Sequence, residues 1–504
     1  MIRILLSALF FWTLLTPAHA AWHEASSDHF LIYSDQKEKD VRAFAERLER
    51  YHDTMRFLFN RPATKLSPSN RVTIYVVDDT RDVRDLHGGD NKYVGGFYIP
   101  RAGGSLAVVP RIKTSRYEMS PSELILLHEY AHHFLIASSA RAYPRWLNEG
   151  FAEFYGTAKF GGDGSVTVGA VSKGRAYELA LAKEVPIELL LDTKGYGENK
   201  SKGYDSFYGQ SWALYHMLHF SADRKGQMSD YVSKIAQGAD EITAAKEAFG
   251  DFKDLEKDLN RYLRSRKLSA YKIPPEFLNI GDITTRRLPA GEAAIMPVLI
   301  KSKRGVNQEQ AAELLMEARA VGAQHPGDAA VLAALAEAEY DAGNDAEAIA
   351  AADRALALNP KLINAHIQKG YALARMAPDM DDEAAAWKKM RRQFVKVNRI
   401  ENDHPIPLVQ FYRSYREQGM EPPSIAVDGL ARALELAPYD NALRWMMANE
   451  FMTQKKFAWA AQTLGPLAYS PHQSPMTERA LALLRKAEMK AEQEKAKNEA
   501  STGS

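Results

Sequence analysis

A regular spacing of alanines and prolines in the C-terminal half constrains the fold of this 504-residue chain more than any other sequence feature. Two triplets share intervals of seven and five residues: Ala348, Ala355 and Pro360, and then Ala426, Ala433 and Pro438. Small residues at these positions allow two antiparallel helices to pack closely, and the proline ends the second helix. The spacing therefore predicts stacked helix pairs, because one pair cannot bury its apolar face alone.

The predicted helical array extends over residues 307–488. Its units are 329–360, a segment around Gly370 with an insertion through 405–407, and then 408–438 and 441–471. The pattern resembles tetratricopeptide repeats (TPR), and that resemblance implies a protein partner bound through the array. A plain helical bundle is the alternative. The Lys/Glu/Ala-rich tail over 489–504 is predicted to be disordered.

The first twenty residues have the pattern of a secretory signal peptide. Arg3 is a short basic segment, residues 4–15 are apolar, and 18–20 form a small-x-small cleavage site. We expect cleavage after Ala20 and export, which in a Gram-negative cell leads to the periplasm. The apolar run is short for a bilayer span. We therefore expect no integral membrane segment after cleavage, with an uncleaved membrane anchor as the alternative.

The composition limits the chemistry that this chain can perform. It contains no cysteine, which excludes disulfides, thiolate zinc ligands and cysteine nucleophiles. Any metal ion must therefore be bound by histidine and carboxylate side chains. The formal net charge is +1, so no global field favours nucleic acid, and we expect no nucleic-acid partner.

The motif His-Glu-Tyr-Ala-His at 128–132 carries the predicted chemistry. A helix turns about 100° per residue, so His128 and His132 share one face and can bind one metal ion, with Glu129 beside the bound water. The residues before the motif fit an N-cap, a first-turn proline and a capping glutamate: Ser120, Pro121 and Glu123. The alternative is a helix whose two histidines have only a packing function.

A second motif, Trp-Leu-Asn-Glu-Gly-Phe-Ala-Glu-Phe at 146–154, follows Pro144, which can start a helix. A zinc site with two histidines needs a carboxylate ligand from a neighbouring helix. The sixteen residues between His132 and Glu149 are enough for a turn and an antiparallel return. Glu153 lies one turn further on the same face, so the spacing allows either glutamate to be the ligand.

The two motifs together resemble those of the gluzincin metallopeptidases. The arrangement as a whole is similar to the peptidase-MA-like domains of exported bacterial proteins, which are often followed by TPR, and the two motifs place the strong part of this resemblance at about 120–265. The resemblance implies one zinc ion per chain, bound by His128, His132 and Glu149. It also implies that Glu153 orients a ligand histidine through the imidazole N–H. Glu129 is then the general base that activates the bound water.

A tyrosine further along the chain is a candidate for stabilising the reaction's oxyanion. The segment Phe-Tyr-Gly-Gln-Ser at 207–211 resembles the Tyr-x-Lys-Gly segment that supplies this tyrosine in aminopeptidase-like gluzincins. The resemblance implies a catalytic function for Tyr208. Gln210 and Ser211 replace the lysine and glycine, so the match is partial. A core tyrosine is the alternative, and Tyr204 is a weaker candidate.

The predicted fold class is an α+β zincin-like catalytic domain followed by an all-α, TPR-like repeat domain. The catalytic domain would combine an N-terminal mixed or antiparallel sheet with a helical active-site subdomain. The predicted elements of its first part are strands at 29–33, 71–77, 95–99 and 105–109 and a helix at 39–59. The predicted divisions are the signal peptide 1–20, the peptidase domain 21–270, a linker 271–306 with a small pair of strands within 279–300, the repeats 307–488 and the tail 489–504.

These features predict an exported zinc metallopeptidase that acts on a peptide or protein substrate. The alternative from another class is a non-catalytic TPR scaffold with a vestigial or structural metal site. A third hypothesis is hydrolysis of a non-peptide substrate at the same zinc, because chemistry depends on the site and not on the fold. Retention of Glu129 favours an enzyme, since an inactive site needs no general base.

Overall fold

A computed structural model describes residues 21–89, 94–112, 119–139, 141–171, 173–199, 203–265, 267–470 and 474–502. The predicted signal peptide, residues 1–20, lies outside them. None of the described helices is both long and apolar enough to span a bilayer. The described strands are His23–Ser26 (β1), Phe30–Ser34 (β2), Val72–Val77 (β3), Phe97–Ile99 (β4), Leu106–Pro110 (β5), Lys159–Phe160 (β6), Val166–Val168 (β7), Tyr271–Ile273 (β8) and Thr284–Arg287 (β9).

The first half of the chain also contains many of the helices. They are Glu38–Leu58 (α1), Thr80–His87 (α2), Pro121–Ser138 (α3), Arg145–Gly156 (α4), Lys173–Leu181 (α5), Ile187–Leu191 (α6), Thr193–Asn199 (α7), Phe207–Phe220 (α8), Gln227–Ala236 (α9), Glu241–Phe249 (α10) and Phe252–Leu263 (α11). The predicted helix at 39–59 and the four predicted strands correspond to α1, β2, β3, β4 and β5, with ends shifted by one or two residues.

Six strands form a mixed sheet in the order β4-β5-β3-β2-β1-β9. Strands β2, β3 and β5 are parallel to one another, whereas β4, β1 and β9 pair antiparallel with their neighbours. Helix α1 packs against this sheet through an apolar face, and Phe44, Leu48, Tyr51 and Met55 are buried there. Strand β4 is an edge strand, and α3 packs beside β4 and β5.

Helix α4 lies between α3 and α8, and all of its residues are buried. Two glycines allow these close approaches. A Cβ on Gly150 would lie 2.5 Å from the backbone oxygen of Ser211 in α8. A Cβ on Gly156 would lie 3.2 Å from the backbone N and Cα of His128 in α3. The absence of a side chain at Gly156 therefore brings α4 against the helix that carries the His-Glu-Tyr-Ala-His motif, and its absence at Gly150 brings α4 against α8.

The region 271–306 is not a linker, contrary to the sequence-based prediction. Strand β8 joins β7 and β6 in a second, three-stranded sheet, while β9 pairs with β1 at the end of the large sheet. No hairpin forms within 279–300, because β9, the strand in this range, pairs with β1, which is far away in sequence. The residues after β9 form the helix Ala290–Arg304 (α12). Short strands with distant partners leave little local pattern from which to predict them.

A series of antiparallel helices fills the rest of the described chain. They are Gln308–Gln324 (α13), Ala329–Asp341 (α14), Asp345–Leu358 (α15), Ile363–Met376 (α16), Glu383–Ile400 (α17), Pro405–Arg416 (α18), Ser424–Leu436 (α19), Asn441–Thr453 (α20), Phe457–Ala468 (α21) and Pro475–Thr502 (α22). Successive helices pack in pairs, and the alanines of the two triplets are all buried between them. The helical repeat architecture predicted from the spacing is confirmed.

Three details of the predicted array are wrong. It begins at α12 rather than at 307, because α12 packs on α13 and α14. The segment at 405–407 is not an insertion: Pro405 starts α18, where a first-turn proline loses no helical hydrogen bond. The tail from 489 continues α22 to Thr502 as a helix, and its side chains up to Asn498 are mostly exposed. Its alanine, lysine and glutamate residues are strong helix formers, which accounts for this difference.

The array is docked on the large sheet through specific hydrogen bonds. The backbone N–H and the hydroxyl of Ser69 donate to Oε1 of Glu401, at 2.9 and 2.6 Å. In the turn between β4 and β5, the N–H of Ala102 donates to Oδ2 of Asp440 at 2.7 Å. The repeat array therefore contacts the same strand hairpin that lies beside α3.

Candidate metal centre

The helix that carries the two histidines starts as its sequence predicts. The Ser120 hydroxyl accepts a hydrogen bond from the Glu123 N–H at 3.2 Å, and the Glu123 carboxylate accepts one from the Ser120 N–H at 2.9 Å. Pro121 occupies the first turn. The predicted capping box is confirmed, and it fixes the start of α3 about two turns before His128.

The side chains of His128, His132 and Glu149 converge on one point. The Nε2 atoms of the two histidines are 3.1 Å apart. Oε2 of Glu149 lies 3.4 Å from Nε2 of His128 and 3.5 Å from Nε2 of His132. Two ligands of tetrahedral zinc, each about 2.0–2.1 Å from the metal, are about 3.3 Å apart. The three donor atoms therefore have the spacing that a single zinc ion requires.

The surroundings of Glu149 also fit a metal ion. This residue is fully buried, and among the described residues no group other than the imidazoles of His128 and His132 lies within hydrogen-bonding reach of its carboxylate oxygens. A buried carboxylate is strongly destabilising unless positive charge compensates it, and a bound cation would supply that charge. Among the described residues, His128, His132 and Glu149 are the one group whose donor atoms lie close enough together for a metal ion.

Glu153 faces the opposite side of the His128 ring. Its Oε1 lies 3.2 Å from Nδ1 of His128, and it forms an ion pair with Arg175. A carboxylate on the second ring nitrogen fixes the orientation of a ligand histidine and favours the tautomer whose Nε2 is free to bind metal. Arg175, which pairs with Glu153 and Glu178, was not identified from the sequence because it lies on a separate helix, α5.

The electrostatics of the metal-free site reflect this clustering. Burial alone would lower the pKa of His128, but hydrogen bonding to Glu149 and Glu153 outweighs it and raises that pKa to about 10. Burial would raise the pKa of Glu149, but the imidazoles of His128 and His132 hold it well below its usual range. The site thus stabilises a positive charge between these residues, and metal binding would displace the proton.

The two predicted catalytic side chains come from different helices. Glu129 is half-buried on α3, and its carboxylate adds to the effect of burial in raising the pKa of Tyr98 on β4. Tyr208 is partly buried in the first turn of α8. The nearby charge of Glu149, together with burial, raises the pKa of Tyr208 to about 12. Tyr204 is 68% exposed and its hydroxyl approaches Glu178, so it lies outside the cluster.

His133 points away from the ligand side chains, towards the sheet and the repeats. Nδ1 of His133 is 2.6 Å from the Tyr98 hydroxyl. The His133 ring lies 4.4 Å from that of Tyr439, in the loop between α19 and α20. Burial lowers the pKa of His133 to about 3, so this histidine stays neutral. The two neighbouring histidines of α3 therefore have different surroundings: the metal site for His132, and the repeat interface for His133.

The chain combines an α/β unit that contains a His/His/Glu cluster with a docked array of helix pairs. No family model matches it, and no curated protein matches it. Solved structures of repeat proteins are similar to the chain. A thermophilic TPR protein from Thermus thermophilus has 15% identity and a TM-score of 0.34, covering 39% of this chain and 99% of that one.

Two further solved structures have comparable similarity. Yeast Tom70 has 14% identity and a TM-score of 0.29, covering 63% of this chain and 72% of that one. MamA from Desulfovibrio magneticus RS-1 has 14% identity and a TM-score of 0.28, covering 38% and 96%. Similarity at this level shows nothing about function, and the repeat architecture is assigned from the helix pairs themselves.

Proposed function

We propose that this protein is a zinc-dependent hydrolase that cleaves peptide bonds, a metallopeptidase of the gluzincin type. One observation carries the proposal: three donor atoms, from His128, His132 and Glu149, lie 3.1–3.5 Å from one another, and the carboxylate among them has no other partner among the described residues. The donor set and its spacing fit a zinc site with two histidines and one glutamate.

The chemistry of such a site follows from its residues. Zinc held by three protein ligands keeps an open position, lowers the pKa of bound water to about 7 and polarises a carbonyl group. Glu129, next to ligand His128, accepts the proton of the attacking water and donates it to the leaving amine. Tyr208, whose high pKa keeps its O–H protonated, donates a hydrogen bond to the oxyanion. Glu153, held by Arg175, keeps the His128 ring in place.

The large sheet supports a binding mode for an extended peptide. Strand β4 is the edge strand, and α3 packs against it. Its free edge would pair with substrate by strand addition, so that the scissile bond lies beside Glu129. This arrangement of an edge strand beside the metal helix is what the zincin resemblance implies.

A protein-binding scaffold is the second candidate function, and the repeat array is the observation that favours it. Arrays of helix pairs present extended surfaces to partner proteins. Trp459 on α21 is 61% exposed and Ile425 on α19 is 68% exposed. In a protein that has both functions, the array binds a protein partner or presents a protein substrate to the metal site. In the scaffold alternative the metal site is structural or vestigial. Both alternatives retain export as a proposal from the predicted signal peptide, which in a Gram-negative cell leads to the periplasm.

Metal analysis and one substitution test the proposal. We expect about one zinc ion per purified full-length chain. Glu129→Gln should retain zinc and reduce peptide hydrolysis by about 10²- to 10⁴-fold, because it removes only the general base. Glu198→Gln, on the exposed face of α7, is the matched control and should behave like wild type. Absence of zinc, or unchanged hydrolysis by Glu129→Gln across a peptide library, would favour the scaffold.

A further inference from the structure

Arg145, the first residue of α4, is a buried cation that no part of the mechanism above uses. Arg145 is only 8% exposed, and its Nε has no hydrogen-bond acceptor among the described residues. No carboxylate in the described part of the chain forms an ion pair with it. Asp205, which contacts the Tyr196 side chain, accepts hydrogen bonds from the Tyr196 hydroxyl and the Phe207 N–H instead.

Two other arginines of the first half of the chain that are largely shielded from water are paired with carboxylates. Arg175 contacts Glu153 and Glu178, and Arg224 contacts Asp258. A guanidinium group withdrawn from water ordinarily requires such a partner, because its desolvation is otherwise uncompensated. Arg145 is thus the exception among these residues, and it lies in the helix that contributes Glu149.

The aromatic rings around Arg145 hold its guanidinium group in a fixed position. Its central carbon lies 5.2 Å from the centre of the Tyr196 ring and 5.1 Å from that of Phe207. Such cation–π contacts stabilise the charge while leaving N–H groups at the edge of the guanidinium available for an anion. The residue after Phe207 is Tyr208, the candidate oxyanion donor. The charge of Arg145 and a hydrogen bond from its side chain both lower the pKa of Tyr208, against the larger effects of Glu149 and burial. The guanidinium therefore lies beside the residue expected to contact substrate.

The spacing along α4 places Arg145 and the ligand Glu149 on one face of the helix. They are four residues apart, so their backbone positions are separated by a rise of about 6 Å. An extended peptide covers that distance in about two residues. An arginine fork is suited to a carboxylate, which it can bind through two parallel N–H···O hydrogen bonds.

We propose that Arg145 binds a carboxylate group of the substrate, within about two residues of the bond that is cleaved. The carboxylate is the free C-terminus of a peptide or an acidic side chain. This inference rests on the proposed function, because it assigns the substrate class of the same site. It makes the enzyme selective for anionic peptides, with Arg145 as the specificity-determining residue.

Binding of three synthetic peptides to the full-length, zinc-loaded Glu129→Gln protein tests this assignment without turnover. The peptides are acetyl-Ala-Ala-Ala with a free C-terminus, its C-terminal amide, and acetyl-Ala-Asp-Ala amide. Calorimetry should show at least tenfold tighter binding of one or both anionic peptides than of the neutral amide. Preference for the free acid identifies an α-carboxylate, and preference for the aspartyl amide identifies a side-chain carboxylate. Equal affinity for all three would overturn the proposal.

Substitution of the arginine assigns the preference to this residue. In the same background, Arg145→Lys keeps the charge but loses the fork, and it should reduce the preference to less than threefold. Arg444→Lys, which changes a buried arginine bonded only to backbone carbonyls in the repeats, is the matched control and should retain the preference. A preference that survives in Arg145→Lys would overturn the assignment.

Turnover separates this inference from the proposed function. In the wild-type background, Arg145→Lys should raise KM for the anionic peptide at least tenfold more than it raises KM for the neutral amide. A merely structural arginine would instead reduce hydrolysis of all peptides alike. If peptides are hydrolysed without any anionic preference, the inference fails and the proposed function stands. If no peptide is hydrolysed but Arg145-dependent carboxylate binding is measured, the proposed function fails and the carboxylate site stands.

Discussion

Glu149 and Glu153 lie one turn apart on α4 and contact opposite nitrogens of the same histidine. Glu149 faces Nε2 of both His128 and His132, whereas Glu153 faces Nδ1 of His128 only. The sequence motif allowed both glutamates to be ligands, because spacing along a helix fixes the face and not the neighbouring ring atom. Arg145 and Arg175 were missed for the same reason. Their significance depends on partners from other helices, which no local pattern shows.

Separate substitution of the two glutamates should show their different functions. Glu149→Ala should abolish stable zinc binding, since it removes a metal ligand. Glu153→Ala should retain zinc with an affinity reduced about 10- to 100-fold, as expected when only the orientation of a ligand histidine is lost. Competition with a chelator measures both effects. Retention of zinc by Glu149→Ala together with loss by Glu153→Ala would require the two assignments to be exchanged.

At the scale of the elements, those with strong local signals were predicted best. The capping box of α3 and the apolar face of α1 are encoded within a few consecutive residues. Strands β6, β7 and β8 were missed, because each has only two or three residues and depends on distant pairing. The close packing of α4 against α3 and α8 was also not predictable. It depends on which residue faces Gly150 and Gly156 across the helix interface.

Gly150→Ala should separate α4 from α8 and loosen the metal site. The new methyl group would lie 2.5 Å from the Ser211 backbone oxygen and 2.9 Å from Cβ of Tyr215, so the helices must move apart. We expect a loss of about 1–3 kcal/mol in the free energy of unfolding, measured with urea, together with weaker zinc binding.

Gly429→Ala in α19 is the control for that substitution. There the nearest atoms would be 3.9 Å away, which is ordinary contact. Replacing glycine inside a helix should then stabilise the protein by up to about 1 kcal/mol. Equal effects of the two substitutions would show that the packing argument for α4 is incorrect.

At the scale of the whole molecule, the repeat array and the sheet form one docked structure. Glu401 and Asp440 accept backbone hydrogen bonds from the sheet side, and Tyr439 packs on His133. His404 lies in this interface, almost completely buried, and its Nδ1 accepts a hydrogen bond from the Ile406 N–H at the start of α18. The sequence predicted the array but not its docking surface, which is formed by loops and helix ends.

Acid should weaken this docking through His404. Burial lowers its pKa to about 4, with Glu401 partly opposing the effect. Between pH 6.5 and pH 4 the unfolded chain therefore binds a proton that the folded chain does not, and stability falls by up to about 1.4 kcal/mol per pH unit. Above pH 6.5 this contribution to the pH dependence disappears.

His404→Asn should remove that contribution while preserving the helix cap. We expect a smaller loss of unfolding free energy between pH 6.5 and 4.5 than in wild type, measured by urea titration at each pH. His87→Asn, which replaces an exposed histidine, is the matched control. An unchanged pH dependence in His404→Asn would show that the interface histidine does not contribute to acid sensitivity.

The pairing of β1 with β9 has a consequence for how the chain acquires its fold. His23 lies opposite Arg287, so the sheet is completed only by residues that follow the whole helical subdomain. Contacts between such distant segments slow folding, since a long loop must close before they form. A fragment ending at residue 270 would leave the edge of β1 uncovered and prone to intermolecular pairing. Strand β9, with Arg286 and Arg287, ends the sheet with charged residues that oppose aggregation.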